Sequence, residues 1–190
     1  MAPKNVLHIT ERAEFRAWLL EHHASKPECW FAAKKGKVPP EDAIWYLDAV
    51  EEALCFGWID SIHKSVEGAD LQRFTPRAPS STWSELNKER CRRLEKLGLM
   101  TDAGRVVLPD LSPESFTIAP DILARFQANP TAWDNFQRMP TLYQRVRIDT
   151  IQRDRRPTDV FERRLDRLIA CSERNEMYGE WNDHGRLLDY

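Results

Sequence analysis

The chain lacks the features that would place it in a membrane, a secretory route or a common nucleotide site. No stretch approaches the roughly 20 apolar residues of a spanning helix. The N-terminus, Met1-Ala2-Pro3-Lys4-Asn5-Val6, has no apolar core of about 7 to 15 residues such as a secretory signal needs. A cytoplasmic protein is the expectation. The four cysteines, Cys29, Cys55, Cys91 and Cys171, are far apart and show neither a CxxC pair nor zinc-ligand spacing. Each lies in an apolar or helical run, which suits a reduced thiol acting as a small hydrophobe. Lys34-Lys35-Gly36-Lys37 lacks the remainder of a phosphate-binding loop and reads as a solvated tip. The adjacent His22 and His23 would point about 100° apart on a helix and cannot share a metal on one face. Neither a metal nor a cofactor is expected.

The 190 residues suffice for one domain or two small ones, and 42% apolar with 31% charged residues is the composition of a folded globular chain. A net charge of -2 argues against a polyanion binder, although charge is unevenly placed. From Glu41 to Asp60 there are acids and no Lys or Arg, while Leu71 to Met100 and Arg138 to Arg174 carry basic excesses. Opposite-sign segments more often neutralise one another across a fold than recruit a partner.

Taken in order, Thr10 with Glu11 and Glu14 can open a helix carrying Phe15, Trp18 and Leu19. Cys29 to Ala33 reads as a buried strand. Pro39-Pro40-Glu41-Asp42 can open a second helix striped by Ile44, Leu47, Val50 and Leu54, which Gly57 ends. Glu51 and Glu52 then sit near the negative end of that helix dipole with no basic residue within one turn, so they call for partners from elsewhere. Trp58 to Lys64 and Leu71 to Thr75 read as a hairpin around Glu67-Gly68. With a two-residue loop, Asp60 faces Thr75, Ser61 faces Phe74, Ile62 faces Arg73, His63 faces Gln72 and Lys64 faces Leu71; a one-residue slip would exchange the faces. Thr82-Trp83-Ser84-Glu85 is a capping-box pattern opening a helix with Trp83, Leu86, Leu94 and Leu97 on its apolar face. Gly98 ends it, and Thr101 can cap a short helix around Ala103 to Leu108. The Pro- and Ser-rich residues 109–120 read as a linker. Beyond it Pro120, Pro130, Pro140 and Pro157 each mark a helix start, and Trp181, Leu187 and Leu188 suggest that the tail docks.

The architecture expected is α+β: an N-terminal domain over residues 1–108 with a small antiparallel sheet covered by helices, the linker, and a helical C-terminal unit over residues 121–190. The densest chemistry lies between Glu51 and Arg90. A small-molecule or peptide pocket lined by Glu52, Trp58, Asp60, Arg73, Arg77, Trp83 and Asn87 is the leading site, with polar groups beside aromatic walls. Its bland counterpart is a structural one, in which Glu52 and Asp60 pair with Arg73 and Arg77 while the tryptophans pack. An enzyme would use Cys55 as nucleophile with His63 as base, or Glu52 as general base, although an arginine neighbour holds a carboxylate in its weakly basic form. Nucleic-acid binding would use Arg73, Arg77, Arg90, Arg92, Arg93 and Trp83, against the acids beside them.

Three long motifs, Glu51 to Asp60, Leu71 to Arg77 and Trp83 to Arg90, together with Thr10 to Leu19 and Trp30 to Lys35, resemble the bacterial YdeI/OmpD-associated family, also called the bacteriocin-protection family. The helices from Leu123 to Leu168 are similar to its C-terminal region. That resemblance implies stress tolerance towards bacteriocins or cationic antimicrobial peptides, and a protein partner, without supplying a catalytic mechanism.

Overall fold

A computed structural model describes residues 3–66 and 68–190; over them the chain is α+β, with eight α-helices and a three-stranded antiparallel sheet. Its packing divides it into two units, residues 1–82 with 90–109 and residues 83–89 with 110–190.

In the first unit α1 (Arg12–His22) starts one residue later than Thr10 would set it. The Glu14 carboxylate reaches back to the backbone N–H groups of Thr10 and Glu11 at 2.8 and 3.1 Å, satisfying donors that a helix start leaves open. Those bonds hold the Glu14 carboxyl below its ordinary value. Phe15 and Leu19 are fully buried. Strand β1 (Cys29–Phe31) pairs antiparallel with β5 (Ala69–Pro76), which is the central strand, and β5 pairs with β4 (Trp58–Val66). Phe31 and Phe74 stack at 4.9 Å beneath Phe15.

The second helix does not begin at the prolines. Ile44 and Trp45 form β3 (Ile44–Trp45), parallel to β2 (Ala33–Lys34), and α2 (Tyr46–Cys55) starts only after them. Trp45, extended, donates its indole N–H to the Gly36 carbonyl at 3.0 Å, so the local ladder outcompetes an earlier helical turn. From Ala49 to Cys55 every residue of α2 is buried, and its end is closed from outside. Thr101 donates its hydroxyl to the Cys55 carbonyl at 2.6 Å and caps α4 (Asp102–Val106). A Cβ on Gly104 would lie 2.3 Å from that same carbonyl, so only glycine allows this approach.

The hairpin keeps the expected register near its turn, with His63 opposite Gln72 and Lys64 opposite Leu71. Glu67 lies outside the described residues. Further out the register shifts by one between Asp60 and His63, so Asp60 faces Phe74 and Ile59 faces Thr75. The expected pairs of Asp60 with Thr75 and of Ser61 with Phe74 are thereby corrected: a bulge places an extra residue in β4 and exchanges its faces beyond that point.

Helix α3 (Glu85–Lys96) gives its first turn to the second unit and the rest to the first. Ser84, rather than Thr82, accepts the N–H of Asn87 at 3.2 Å and starts it, and Leu97, expected on its apolar face, is 46% exposed. The remaining helices of the second unit are α5 (Pro120–Gln127), α6 (Pro130–Arg138), α7 (Thr141–Gln152) and α8 (Thr158–Glu173). Proline is the first residue of α5 and α6 and immediately precedes α7 and α8, where its missing N–H costs no helical bond. Ile122, Phe126, Phe136, Tyr143, Ile148, Leu165 and Leu168 make the core. Phe116, Ile118 and Ala119, within the Pro- and Ser-rich stretch, pack on that core, and Gln152 ties it down by accepting from the Ala119 N–H and donating to the Thr117 carbonyl. The tail docks through Trp181, edge-on to Tyr143 at 5.6 Å, and through buried Leu187, whereas Leu188 is 50% exposed.

Candidate functional site

The acidic end of α2 does find arginines, but not those of the hairpin. Glu51 and Glu52 are buried, and Arg12 bridges them, with Nη1 2.8 Å from Glu51 and Nε 2.6 Å from Glu52. Arg16 takes the other oxygen of Glu52 at 2.8 Å, and Arg93 takes the other oxygen of Glu51 at 2.7 Å. Arg12 also touches Asp48 at 3.2 Å. Burial opposes the charge on Arg12, yet Glu52 and Glu51 outweigh it and raise the guanidinium above its ordinary value. The expected pairing of Glu52 with Arg73 and Arg77 is replaced because α1 lays Arg12 and Arg16 along α2, while Arg73 points to the opposite edge of the sheet. A signal for this was present: Arg12 and Arg16 are spaced i, i+4, and so are Asp48 and Glu52.

Arg73, opposite Trp30 in the ladder, pairs with Glu28 at 2.5 Å and lies over the Trp30 ring at 5.8 Å. Asp60 accepts a hydrogen bond from the Tyr46 hydroxyl at 2.6 Å. Arg77 is 8% exposed and donates to the Thr82 carbonyl at 3.5 Å; burial lowers its proton affinity, and Cys91 and Asp60 work against that. Trp58 is buried, its indole N–H donating to the His23 carbonyl at 3.1 Å. Trp83 and Asn87 belong to the second unit. Of the seven candidate residues, Asp60 and Arg77 are thus electrostatic neighbours, while Glu52 and Arg73 each hold a different partner.

The residues proposed for other chemistries are buried or half-buried, His63 excepted. Cys55 is buried, and desolvation with the nearby Glu52 pushes its thiol up to about 12, which opposes the thiolate a nucleophile needs. His63 is exposed on β4. Arg77 and Arg90 are buried, and Arg93 is bound to Glu51, so this basic run does not present itself as a groove for phosphates.

An open cleft of about 600 Å³ lies in the second unit, lined by Glu89, Pro113, Glu114, Phe116, Ile118, Thr141, Gln144 and Arg145. One wall is apolar, from Pro113, Phe116 and Ile118. The other is polar and fixed from behind. Arg145 contacts Glu89 at 2.9 Å and Glu85 at 3.2 Å, Glu85 also meets Lys88 at 2.9 Å, and the Tyr190 hydroxyl donates to Glu89 at 2.7 Å. Asp149 accepts the Glu85 backbone N–H at 3.1 Å; desolvation raises its carboxyl above the ordinary value, with Arg153 opposing. Glu114 accepts the Ser112 hydroxyl at 2.6 Å, and the lining as a whole carries two carboxylates, Glu89 and Glu114, to one guanidinium, that of Arg145. Nothing in the linker-like composition of residues 109–120 announced this wall; Phe116 and Ile118 among small and polar residues were the available hint.

Residues 7–107, just over half of the chain, match the model of a domain of unknown function, DUF8412. Residues 115–175 match the family described as Bacteriocin-protection, YdeI or OmpD-Associated. No curated protein and no solved structure matches the chain. The motifs from Thr10 to Arg90 therefore fall within the first match, and the bacteriocin-protection match falls on the helices after the Pro- and Ser-rich stretch.

Proposed function

Given that the chain belongs to the DUF8412 family through residues 7–107 and carries a bacteriocin-protection, YdeI or OmpD-associated segment at residues 115–175, we propose that it is a binding protein. Its cleft in the second unit takes a cationic amphipathic peptide and thereby contributes to tolerance of such peptides. The observation that carries this reading is the cleft itself: a size within the usual range for ligand sites, an aromatic and aliphatic part from Pro113, Phe116 and Ile118, and a charged lining in which carboxylates outnumber guanidinium groups two to one. Phe116, Ile118, Thr141, Gln144 and Arg145 all lie within the matched segment. An apolar side chain of the peptide packs on Phe116 and Ile118, and its lysines are drawn by the net negative charge of the lining. Four free, buried cysteines suit action in the reducing cytoplasm. The Glu51, Glu52, Arg12 and Arg16 group holds α1 to α2 in this scheme.

The test is fluorescence anisotropy with a labelled synthetic peptide of alternating leucine and lysine. Wild type is expected to bind. Phe116→Ala is expected to weaken binding roughly tenfold, as loss of an aromatic anchor of about 1–2 kcal/mol would. Glu114→Lys is expected to weaken it further at low salt. Equal binding by wild type and both variants, or none by any of them, would overturn the proposal.

A further inference from the structure

A second cavity of the second unit, about 190 Å³, is lined by Arg147, Thr150 and Ile151 of α7, by Arg164 and Arg167 of α8, and by Tyr178 of the tail. Three guanidinium groups around so small a space repel one another unless something negative lies among them. The protein supplies little. Arg164 meets Asp154 at 3.0 Å, and that carboxylate is 59% exposed. Arg147 donates from Nη2 to the Glu180 carbonyl at 2.8 Å, while its buried Nε has no acceptor. Among the described residues Arg167 has no hydrogen bond or ion pair; it lies over the Tyr178 ring at 4.4 Å, with Arg147 over the same ring at 5.5 Å. Burial raises the Tyr178 phenol, and Arg147, Arg167 and Arg164 all oppose that rise, so the three charges converge on one point. Thr150 adds no donor, since its hydroxyl bonds the Val146 carbonyl at 2.8 Å.

Gly179 belongs to the same construction. It has φ +72°, and a Cβ there would lie 2.5 Å from Nη1 of Arg147. The absence of a side chain leaves room for the guanidinium beside Tyr178.

We propose that this cavity is an anion site for a phosphate group, either the free ion or a small phosphomonoester, held by Arg147, Arg164 and Arg167 beside Tyr178. Guanidinium forks match the oxygens of a tetrahedral anion, and a doubly charged ion answers the surplus of three arginines over one carboxylate. The volume admits one phosphate with a small substituent and falls below the roughly 300 Å³ at which pockets for larger ligands begin. The site shares no lining residue with the peptide cleft, so either can fail without the other.

The full chain is titrated with inorganic phosphate and, separately, with phenyl phosphate, with sodium chloride at matched ionic strength as control, and binding is read by ³¹P line broadening and by the shift in Tm. Phosphate-specific binding is expected. Arg167→Ala, which breaks no hydrogen bond or ion pair among the described residues and removes only the contact with the Tyr178 ring, is expected to weaken it roughly tenfold, as loss of one charge-assisted contact does. Gly179→Ala, which displaces Arg147, is expected to weaken it as well. Tighter binding of phenyl phosphate identifies an ester as the ligand, and equal binding identifies the free ion. A Tm shift that chloride reproduces, no line broadening at millimolar phosphate, or affinity unchanged in Arg167→Ala would overturn the site.

Discussion

Arg12 in the first unit and Arg167 in the second are both arginines on helices, yet they sit in opposite electrostatic settings. Arg12 bridges two buried carboxylates that are completed by Arg16 and Arg93, so charge in that region closes on itself. Arg167 stands beside two more arginines and an aromatic ring, without a carboxylate of its own. A charged cluster whose members satisfy one another is part of the scaffold. One left in surplus beside a cavity is where an outside ligand can act.

The sharpest way to break this contrast is Arg12→Ala. Removing one partner of a buried ion pair costs about 3–5 kcal/mol, and here the lower part of that range applies, because Arg12 is 31% exposed and Arg16 and Arg93 remain. Urea denaturation measures it, and a loss under about 1 kcal/mol would make the network a surface feature. Gly104→Ala comes next, at about 1–3 kcal/mol, since its Cβ meets backbone rather than a mobile side chain. Arg167→Ala should change stability by less than about 1 kcal/mol, as expected for the loss of one ring contact and no ion pair. A loss comparable with that of Arg12→Ala would erase the distinction between the two arginines. The smallest effect is in the pH dependence. Asp149 binds its proton more tightly folded than unfolded, so its contribution to stability is full below the ordinary aspartate value and is lost as pH rises through the raised one. Asp149→Asn should remove that decline from the stability profile above about pH 4.

Much of the fold is legible in the sequence, for reasons local to each element. Pro120, Pro130, Pro140 and Pro157 open helices because proline is tolerated at a helix start, Gly57 ends α2 where it stands, and Thr101 caps α4 locally, although its bond to the distant Cys55 carbonyl was not legible. The misses depend on distant chain. Alternation along β4 cannot reveal a bulge, which appears only when β5 is laid beside it. The helical pattern from Ile44 could not register that Ala33 and Lys34 would claim Ile44 and Trp45 for a ladder. The arginine partners of Glu51 and Glu52 were hidden in the same way: the need for cations was readable from α2 alone, but their source required α1 to be placed against it. The cleft was obscured by composition, because a Pro- and Ser-rich stretch can be a packed wall when two apolar residues anchor it.

The claim that binding belongs to the cleft of the second unit, and that the acidic end of α2 is scaffold, is tested most directly by titrating ¹⁵N-labelled protein with the leucine–lysine peptide. Amide shifts are predicted at Glu114, Phe116, Ile118, Thr141, Gln144 and Arg145. Shifts centred instead on Glu52, Asp60, Arg73 and Arg77 would contradict it.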